Sequence, residues 1–379
     1  MRRWTWVGVV AAVIVVVLAV AFGTKVLKPK DIPIGAILPL TGQAAQWGVP
    51  AKQGVELAVE QINAGGGVVG RRLKLYIQDS AGDPKTAVSA FQSLLVKRPD
   101  IQAVVGAVAS SETLAIAPIA ERRRVVLISP ASTNPRITDA GDFIFRDIPT
   151  DALRGKVFAE YVFAKAKISR IAVMYINNDA GVGNKDVFVR RFRQLGGVVL
   201  GEEAYAEGTR DVRTQLAKIK ALKPQALMVV SYPDDTIVVV KQARELVPKM
   251  PLFFQAEAVE DPAVRKALGA ALNGVTYILP AKPEGKVPQR FAGEYKRKHG
   301  TEPELFAAEG YDCVQLVADG VRASGGIARA TSIRDHLYSV RDYGGASGII
   351  SFDHNGDVVK PMSVKRIVGS IPVVVFTSS

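Results

Sequence analysis

Two short apolar runs end on small hydroxyl residues. Ile101-Gln102-Ala103-Val104-Val105-Gly106 leads into Ala109-Ser110-Ser111-Glu112, and Val125-Val126-Leu127-Ile128 leads into Ser129-Pro130-Ala131-Ser132-Thr133. Each run reads as a buried parallel strand. Ser110 then falls where a helix over 113–120 begins, so its hydroxyl and the helix's unpaired N–H groups point the same way. Such a terminus takes up a carboxylate or phosphate readily, and open α/β sheets bind ligands beyond the carboxyl ends of their strands. The pattern predicts a pocket for a small anion-bearing molecule. The alternative is that Ser110 only caps the helix, a contribution of about 1 kcal/mol.

The elements that must position these groups alternate from Ile32 onward. Strand 32–38 precedes a helix over 49–63 with Val55, Ala58, Val59 and Ile62 on one face. Strand 73–78 precedes a helix over 84–97, opened by Asp83 as N-cap and Pro84 in the first turn. With the two strands above, these make a helix-covered parallel sheet. After 146–150 the alternation restarts. Helices are expected over 151–166, 185–195, 210–222 and 235–247, with strands over 170–176, 197–201, 226–231 and 252–254. The last third holds helices over 288–299, 303–321 and 332–338, then β-rich sequence. There Asn355-Gly356 predicts a type I′ hairpin turn within 352–358. Asp353 and Asp357 lack the spacing of a calcium loop. Gly65-Gly66-Gly67-Val68-Val69-Gly70 matches the dinucleotide fingerprint, but a helix precedes it and a strand follows, so it reads as a helix stop and loop.

Bulk composition excludes several classes. The chain has 379 residues, enough for two full cores, and is 48% hydrophobic and 22% charged, which excludes disorder as its theme. The net charge of +13 is scattered over Arg71-Arg72, Arg122-Arg123-Arg124, Arg190-Arg191 and Lys296-Arg297-Lys298. No nucleic-acid-binding signature accompanies it, so these charges read as solvated helix faces with some attraction to anionic surfaces. One cysteine, Cys313, excludes an internal disulfide and a cysteine metal site, and reads as a small core residue. The three histidines, His299, His336 and His354, are far apart in sequence, which argues against a metal centre. No nucleophile elbow, Walker loop or paired catalytic carboxylates occur, so neither an enzyme nor a cofactor is expected. Arg2-Arg3 followed by an apolar stretch over 4–22, with Ala19-Val20-Ala21 as a cleavage pattern, reads as a signal peptide over 1–21. An uncleaved anchor is the alternative, because the stretch is nearly long enough to span a bilayer. Either way the body of the protein is expected in the periplasm, touching the membrane only through that segment.

Five further stretches carry a family resemblance. Ile34-Gly35-Ala36-Ile37-Leu38-Pro39-Leu40-Thr41-Gly42, Ala45-Gln46-Trp47-Gly48, Asn63-Ala64-Gly65-Gly66, Asp83-Pro84-Lys85-Thr86-Ala87 and Ser129-Pro130-Ala131-Ser132-Thr133-Asn134-Pro135 together resemble the periplasmic leucine/isoleucine/valine-binding proteins. These are the substrate-binding components of branched-chain amino-acid ABC transporters. The resemblance implies a type I periplasmic binding protein: α/β, two doubly wound parallel-sheet lobes joined by a three-crossover hinge. It places lobe 1 at 31–148 plus 281–347 and lobe 2 at 149–280 plus 348–379. It also implies capture of an amino acid, branched-chain or larger apolar or aromatic, and delivery to permease subunits. A sensing module of the same fold, or a receptor for an aromatic carboxylate, urea or amide, stays open.

By position, the resemblance makes Ser110, with Ala109 beside it, the holder of the ligand carboxylate. Ala131 and Thr133 hold the amino-acid backbone, Tyr232 lies near the α-amino group and Glu257 takes the ammonium. Trp47 and Phe306 wall the side-chain pocket, and Asp151 is a polar residue on the hinge side. These residue types suit a zwitterion, which needs donors at one end and acceptors at the other. Two departures stand out. Ala180 occupies a position where the family commonly has tyrosine, which enlarges the pocket or removes a hydroxyl contact. Gly82 and Ala109 occupy positions where classical members carry a disulfide.

Overall fold

The computed structural model describes residues 31–378 except Ala256 and Leu305, and not the side chain of Glu257. The signal peptide expected over 1–21 lies outside the described residues. The first sheet is built from β1 (Ile32–Leu38), β2 (Leu73–Asp79), β3 (Ala103–Gly106), β4 (Val126–Ser129) and β5 (Ile144–Arg146), separated by α1 (Ala45–Ala64), α2 (Pro84–Lys97) and α3 (Ser110–Arg123). Its strands are all parallel in the order β2-β1-β3-β4-β5. The strand order reverses direction between β1 and β3, the place where such sheets bind ligands.

The second half repeats the plan. It runs α4 (Asp151–Glu160), β6 (Arg170–Ile176), α5 (Asp179–Gln194), β7 (Val198–Tyr205), α6 (Arg213–Ala221), β8 (Ala226–Val230), α7 (Pro233–Leu246), β9 (Leu252–Phe254), α8 (Pro262–Leu268) and β10 (Thr276–Pro280). The chain then returns to the first sheet as α9 (Lys286–His299), α10 (Ala307–Ala323), α11 (Ala330–Ser339) and the small hairpin of β11 (Tyr343–Gly345) and β12 (Gly348–Ile350). Finally β13 (Met362–Val368) and β14 (Ile371–Thr377) add antiparallel strands to the second sheet, giving the order β14-β13-β10-β9-β8-β6-β7. The chain therefore crosses between sheets three times, after Arg146, Pro280 and Val358.

That last crossing corrects the expected boundary at 347/348. Ile350, Phe352 and Val358 are buried in the first lobe's core with Phe145, Phe291 and Val314, so 348–358 belongs to lobe 1. The hairpin turn also differs from expectation. Gly356 has φ +78° but Asn355 has an ordinary φ, and the Gly356 N–H meets the Asp353 carbonyl at 3.2 Å. The Asp353 side chain accepts from the Asn355 and Asp357 N–H groups at 2.8 and 2.9 Å. This is a type I turn followed by a left-handed glycine, stabilised by the aspartate rather than by two left-handed residues. Gly65–Gly70 does form a helix stop and loop, with Gly66, Gly67 and Gly70 all at positive φ. Cys313 is fully buried in the first core.

The packing of α1 on α10 joins the fold to the site, because Trp47 lies on α1 and Phe306 immediately precedes α10. The two helices touch through backbone. A Cβ on Gly54 would lie 1.9 Å from the Ala307 carbonyl oxygen, and one on Gly310 would lie 2.5 Å from that of Ala51. Gly54→Ala is therefore expected to destabilise the protein by about 1–3 kcal/mol, the usual cost of overpacking. An unchanged midpoint in urea denaturation would contradict this close crossing.

Candidate functional site

The lobe 1 wall is formed by the loops after β3 and β4. Ala109, extended at φ −74° and ψ 138°, is the N-cap of α3, so Ser110 is its first helical residue. Glu112 Oε2 accepts the Ala109 N–H at 3.1 Å, and the Ser110 and Ser111 N–H groups head the helix. Ser110 does not cap. Its Oγ accepts the Asn134 N–H at 3.3 Å, which leaves its own hydrogen for a further acceptor. Ser129 shapes the second loop: its Oγ accepts from the Ala131 and Ser132 N–H groups and donates to the Ala107 carbonyl at 2.6 Å. Ala131 and Thr133 are thereby turned toward the same space as Ser110.

Arg146 holds this second loop from behind. Wholly buried, it donates Nη1 to the Asn134 carbonyl at 2.8 Å, Nη2 to Thr138 Oγ1 at 2.6 Å and Nε to Asp357 Oδ1 at 2.5 Å. Thr133 Oγ1 donates to Asp151 Oδ2 at 2.8 Å. With its hydrogen committed, the Thr133 oxygen can only accept from anything in the cavity.

The opposite wall comes from the carboxyl ends of β6 and β8. Ile176 ends β6, Ala180 and Gly181 lie in the first turn of α5, and Ser231 and Tyr232 follow β8. Arg154 of α4 and Asn184 of α5 complete this wall. The Trp47 ring meets Tyr232 edge-on across the cleft, with centroids 4.9 Å apart, and meets Phe306 at 6.0 Å. Phe306 itself is held at φ +69°. The lobes also meet where Asn134 Nδ2 donates to the Asp179 carbonyl and Arg136 pairs with Asp179 at 3.2 Å.

Together these walls enclose a hollow of about 50 Å³. Of the residues singled out from sequence, Trp47, Ala109, Ser110, Ala131, Thr133, Ala180, Tyr232 and Phe306 line it. Asp151 does not; it is fully buried behind Thr133, where its Oδ1 also accepts from Asn184 Nδ2 at 2.8 Å. Glu257 opens the 3₁₀ turn after β9, and its side chain lies outside the described residues. Sequence reasoning missed Arg154 and Asn184, which sit within helices where a polar residue reads as solvated. Gly181 and Gly183 just upstream are the available signal. A Cβ on Gly183 would lie 2.6 Å from Asn134 Nδ2 of the other lobe, so that end of α5 is shaped for close approach.

Electrostatically the hollow is shielded rather than open. Burial pushes the Glu112 carboxyl up to about 7, despite the N–H bonds it accepts, and lifts Asp235 to about 7 as well. Burial also raises the Tyr232 hydroxyl well beyond its ordinary value. Asp151 and Arg154 lie 3.8 Å apart and offset one another. Outside the hollow, Trp47 and Phe306 also border a groove of about 710 Å³ that runs along the hinge side past Phe291, Glu260 and Glu309.

A sequence profile for periplasmic binding proteins matches residues 31–370. The chain belongs to the periplasmic binding protein family. It is 27% identical over 342 residues to the leucine-, isoleucine-, valine-, threonine-, and alanine-binding protein of Pseudomonas aeruginosa, covering 89% of this chain and 90% of that one. Among solved structures, a leucine binding protein from Thermotoga maritima superposes with a TM-score of 0.83 at 27% identity, covering 91% of this chain and 98% of that one. A branched-chain amino acid transporter substrate binding protein from Streptococcus pneumoniae, solved in complex with isoleucine, gives 0.81 at 26% identity, covering 92% and 98%.

Members of the periplasmic binding protein family are substrate-binding proteins that work outside the cytoplasmic membrane. The expected fold of two α/β lobes with three crossovers is the fold of this family. Among the described residues no helix is long and apolar enough to cross a membrane, and no cluster of His, Cys, Asp and Glu is arranged to hold a metal ion.

Proposed function

We propose that this protein is the extracytoplasmic receptor of an ABC transporter, closing its two lobes on an amino acid and presenting it to the permease. The relatives' names cite leucine, isoleucine, valine, threonine and alanine, all amino acids with an unsubstituted α-amino and α-carboxyl head. The observation that carries this reading is the pairing of roles at the lobe 1 wall. Ser110 has a hydroxyl hydrogen to give beside the N–H groups of a helix start, while Thr133 has only lone pairs to offer. That is a donor set for a carboxylate next to an acceptor for an ammonium. Trp47, Tyr232 and Phe306 supply apolar surface around them. In this reading Ala109 and Ala131 contribute backbone groups, Ala180 leaves room, Asp151 orients Thr133 and Glu257 neutralises the ammonium. Hinge rotation about the crossovers opens and closes the cleft.

The test is calorimetric titration and thermal shift of the protein with the twenty amino acids and with benzoate. At least one amino acid is expected to bind and stabilise, and Ser110→Ala to weaken it by about 1.5–3 kcal/mol, roughly tenfold to a hundredfold. Glu257→Gln should weaken amino acids while sparing a plain carboxylate. Benzoate binding more tightly than every amino acid would overturn the reading.

A further inference from the structure

Two residues that line the hollow each carry a buried polar atom that meets no protein partner among the described residues: Nε1 of Trp47 on lobe 1 and Oδ1 of Asn184 on lobe 2. The orientation of Asn184 is fixed by its surroundings. Its side chain is bonded to Asp151 Oδ1 at 2.8 Å, and a carboxylate that already takes the Thr133 hydroxyl on its other oxygen can only accept, so the amide nitrogen faces it. The amide oxygen is then left as an acceptor, at a residue only 5% exposed. Trp47 Nε1 is a donor and nothing else.

We infer that Asn184 and Trp47 are specificity-determining residues that select an amino acid whose side chain ends in a carboxamide. An aliphatic side chain closed into this hollow would leave both polar atoms dry, and sites built with hydrogen-bonding groups discriminate strongly against ligands that lack the matching partner. A carboxamide supplies an N–H for Asn184 Oδ1 and an oxygen for the Trp47 N–H. A side-chain carboxylate supplies oxygens alone and would set one against Asn184 Oδ1. Nor does the wall offer net positive charge to hold it, because Arg154 faces Asp151 at 3.8 Å. Ala180 and Gly181, both small, line the hollow together with Asn184.

This rests on the hollow being an amino-acid site, and the experiment separates the two claims. Titration of the wild-type protein with L-glutamine, L-asparagine, L-glutamate and L-leucine is expected to show a carboxamide ligand binding at least tenfold more tightly than leucine or glutamate. Asn184→Leu should shift the glutamine-to-leucine affinity ratio at least tenfold toward leucine. Leucine or glutamate binding the wild type as tightly as either carboxamide would overturn this inference and leave the amino-acid reading standing, as would an unchanged ratio in the variant. Failure of every amino acid to bind would overturn both.

Discussion

Arg146→Ala is expected to destabilise the protein by about 3–5 kcal/mol, because it removes one member of a buried ion pair and leaves the other. The arginine side chain is wholly excluded from solvent and that of Asp357 is 10% exposed. Without the guanidinium, the Asp357 side chain keeps, among the described residues, the Thr138 hydroxyl at 2.7 Å, and the Asn134 carbonyl loses the Arg146 donor. The effect reaches binding through the loop after β4. Arg146 fixes the backbone around Thr133, and the Asn134 N–H fixes Ser110 from the same segment. The variant should therefore lose affinity for any ligand of the hollow even at temperatures where it stays folded. Urea denaturation gives the first quantity and calorimetric titration the second. A loss of stability with wild-type affinity would show that the loop keeps its shape without the arginine. Arg146→Lys separates charge from geometry, since an ammonium can still pair with Asp357 but cannot reach Thr138 and Asn134 in the same fork.

Much of this arrangement is legible in the sequence, for a physical reason. Strands covered by helices on both faces must be apolar throughout, so β1, β3, β4, β6 and β8 stand out as short valine- and isoleucine-rich runs, and the residues just beyond them mark the cleft. Ser110 and the segment 129–133 with Ala131 and Thr133 are legible in this way, whereas Tyr232 is pointed to by the family resemblance. The C-terminal strands of the second sheet are harder to read. β13 pairs antiparallel and β14 is a half-exposed edge, with Ile371 at 68% and Val374 at 54% exposure, so neither shows the continuous burial that identifies its neighbours. Residues 348–358 are β-like in composition, but their allegiance to lobe 1 depends on contacts of Phe352 and Val358 with Phe145 and other distant residues that no local pattern encodes. Asn184 and Arg154 illustrate the same limit within the site: each is polar, each lies in an amphipathic helix, and only the approach of the other wall turns them inward.

The hinge carries the second large effect. Lys360, in the last crossover, donates to Asp147 Oδ1 at 2.8 Å and to the Asp147 carbonyl at 3.1 Å in the first crossover, and to Ser347 Oγ at 2.6 Å. It thus pins two of the three connections between lobes, and both side chains are almost fully buried. Asp312 lies beside them, accepting the Ala346 and Ser347 N–H groups at 2.8 and 2.7 Å. Burial pushes the Asp147 carboxyl above its ordinary range, and the Lys360 charge is the main influence opposing that rise. Lys360→Met removes the opposition, so the carboxyl must rise further. A group whose value is raised by folding favours the native state at low pH and loses that favour as pH climbs through its folded value. The variant should accordingly be about 3–5 kcal/mol less stable than the wild type near pH 8, where Asp147 is left as a buried unpaired charge. The deficit should shrink on acidification, as Asp147 takes up a proton in the folded variant. The comparison is made within each pH because Glu112 and Glu309, both lifted by burial to about 7, soften the wild type over the same range. A second change, Asp147→Asn on the Lys360→Met background, should recover part of the loss near pH 8 and reduce its pH dependence, since a neutral amide has no charge to strand. The remainder comes from Glu309 and Asp312, whose buried carboxyls also lose the Lys360 charge. If the single variant instead shows the same deficit at every pH, the lysine acts through its stem packing and the ion pair contributes little to holding the crossovers together.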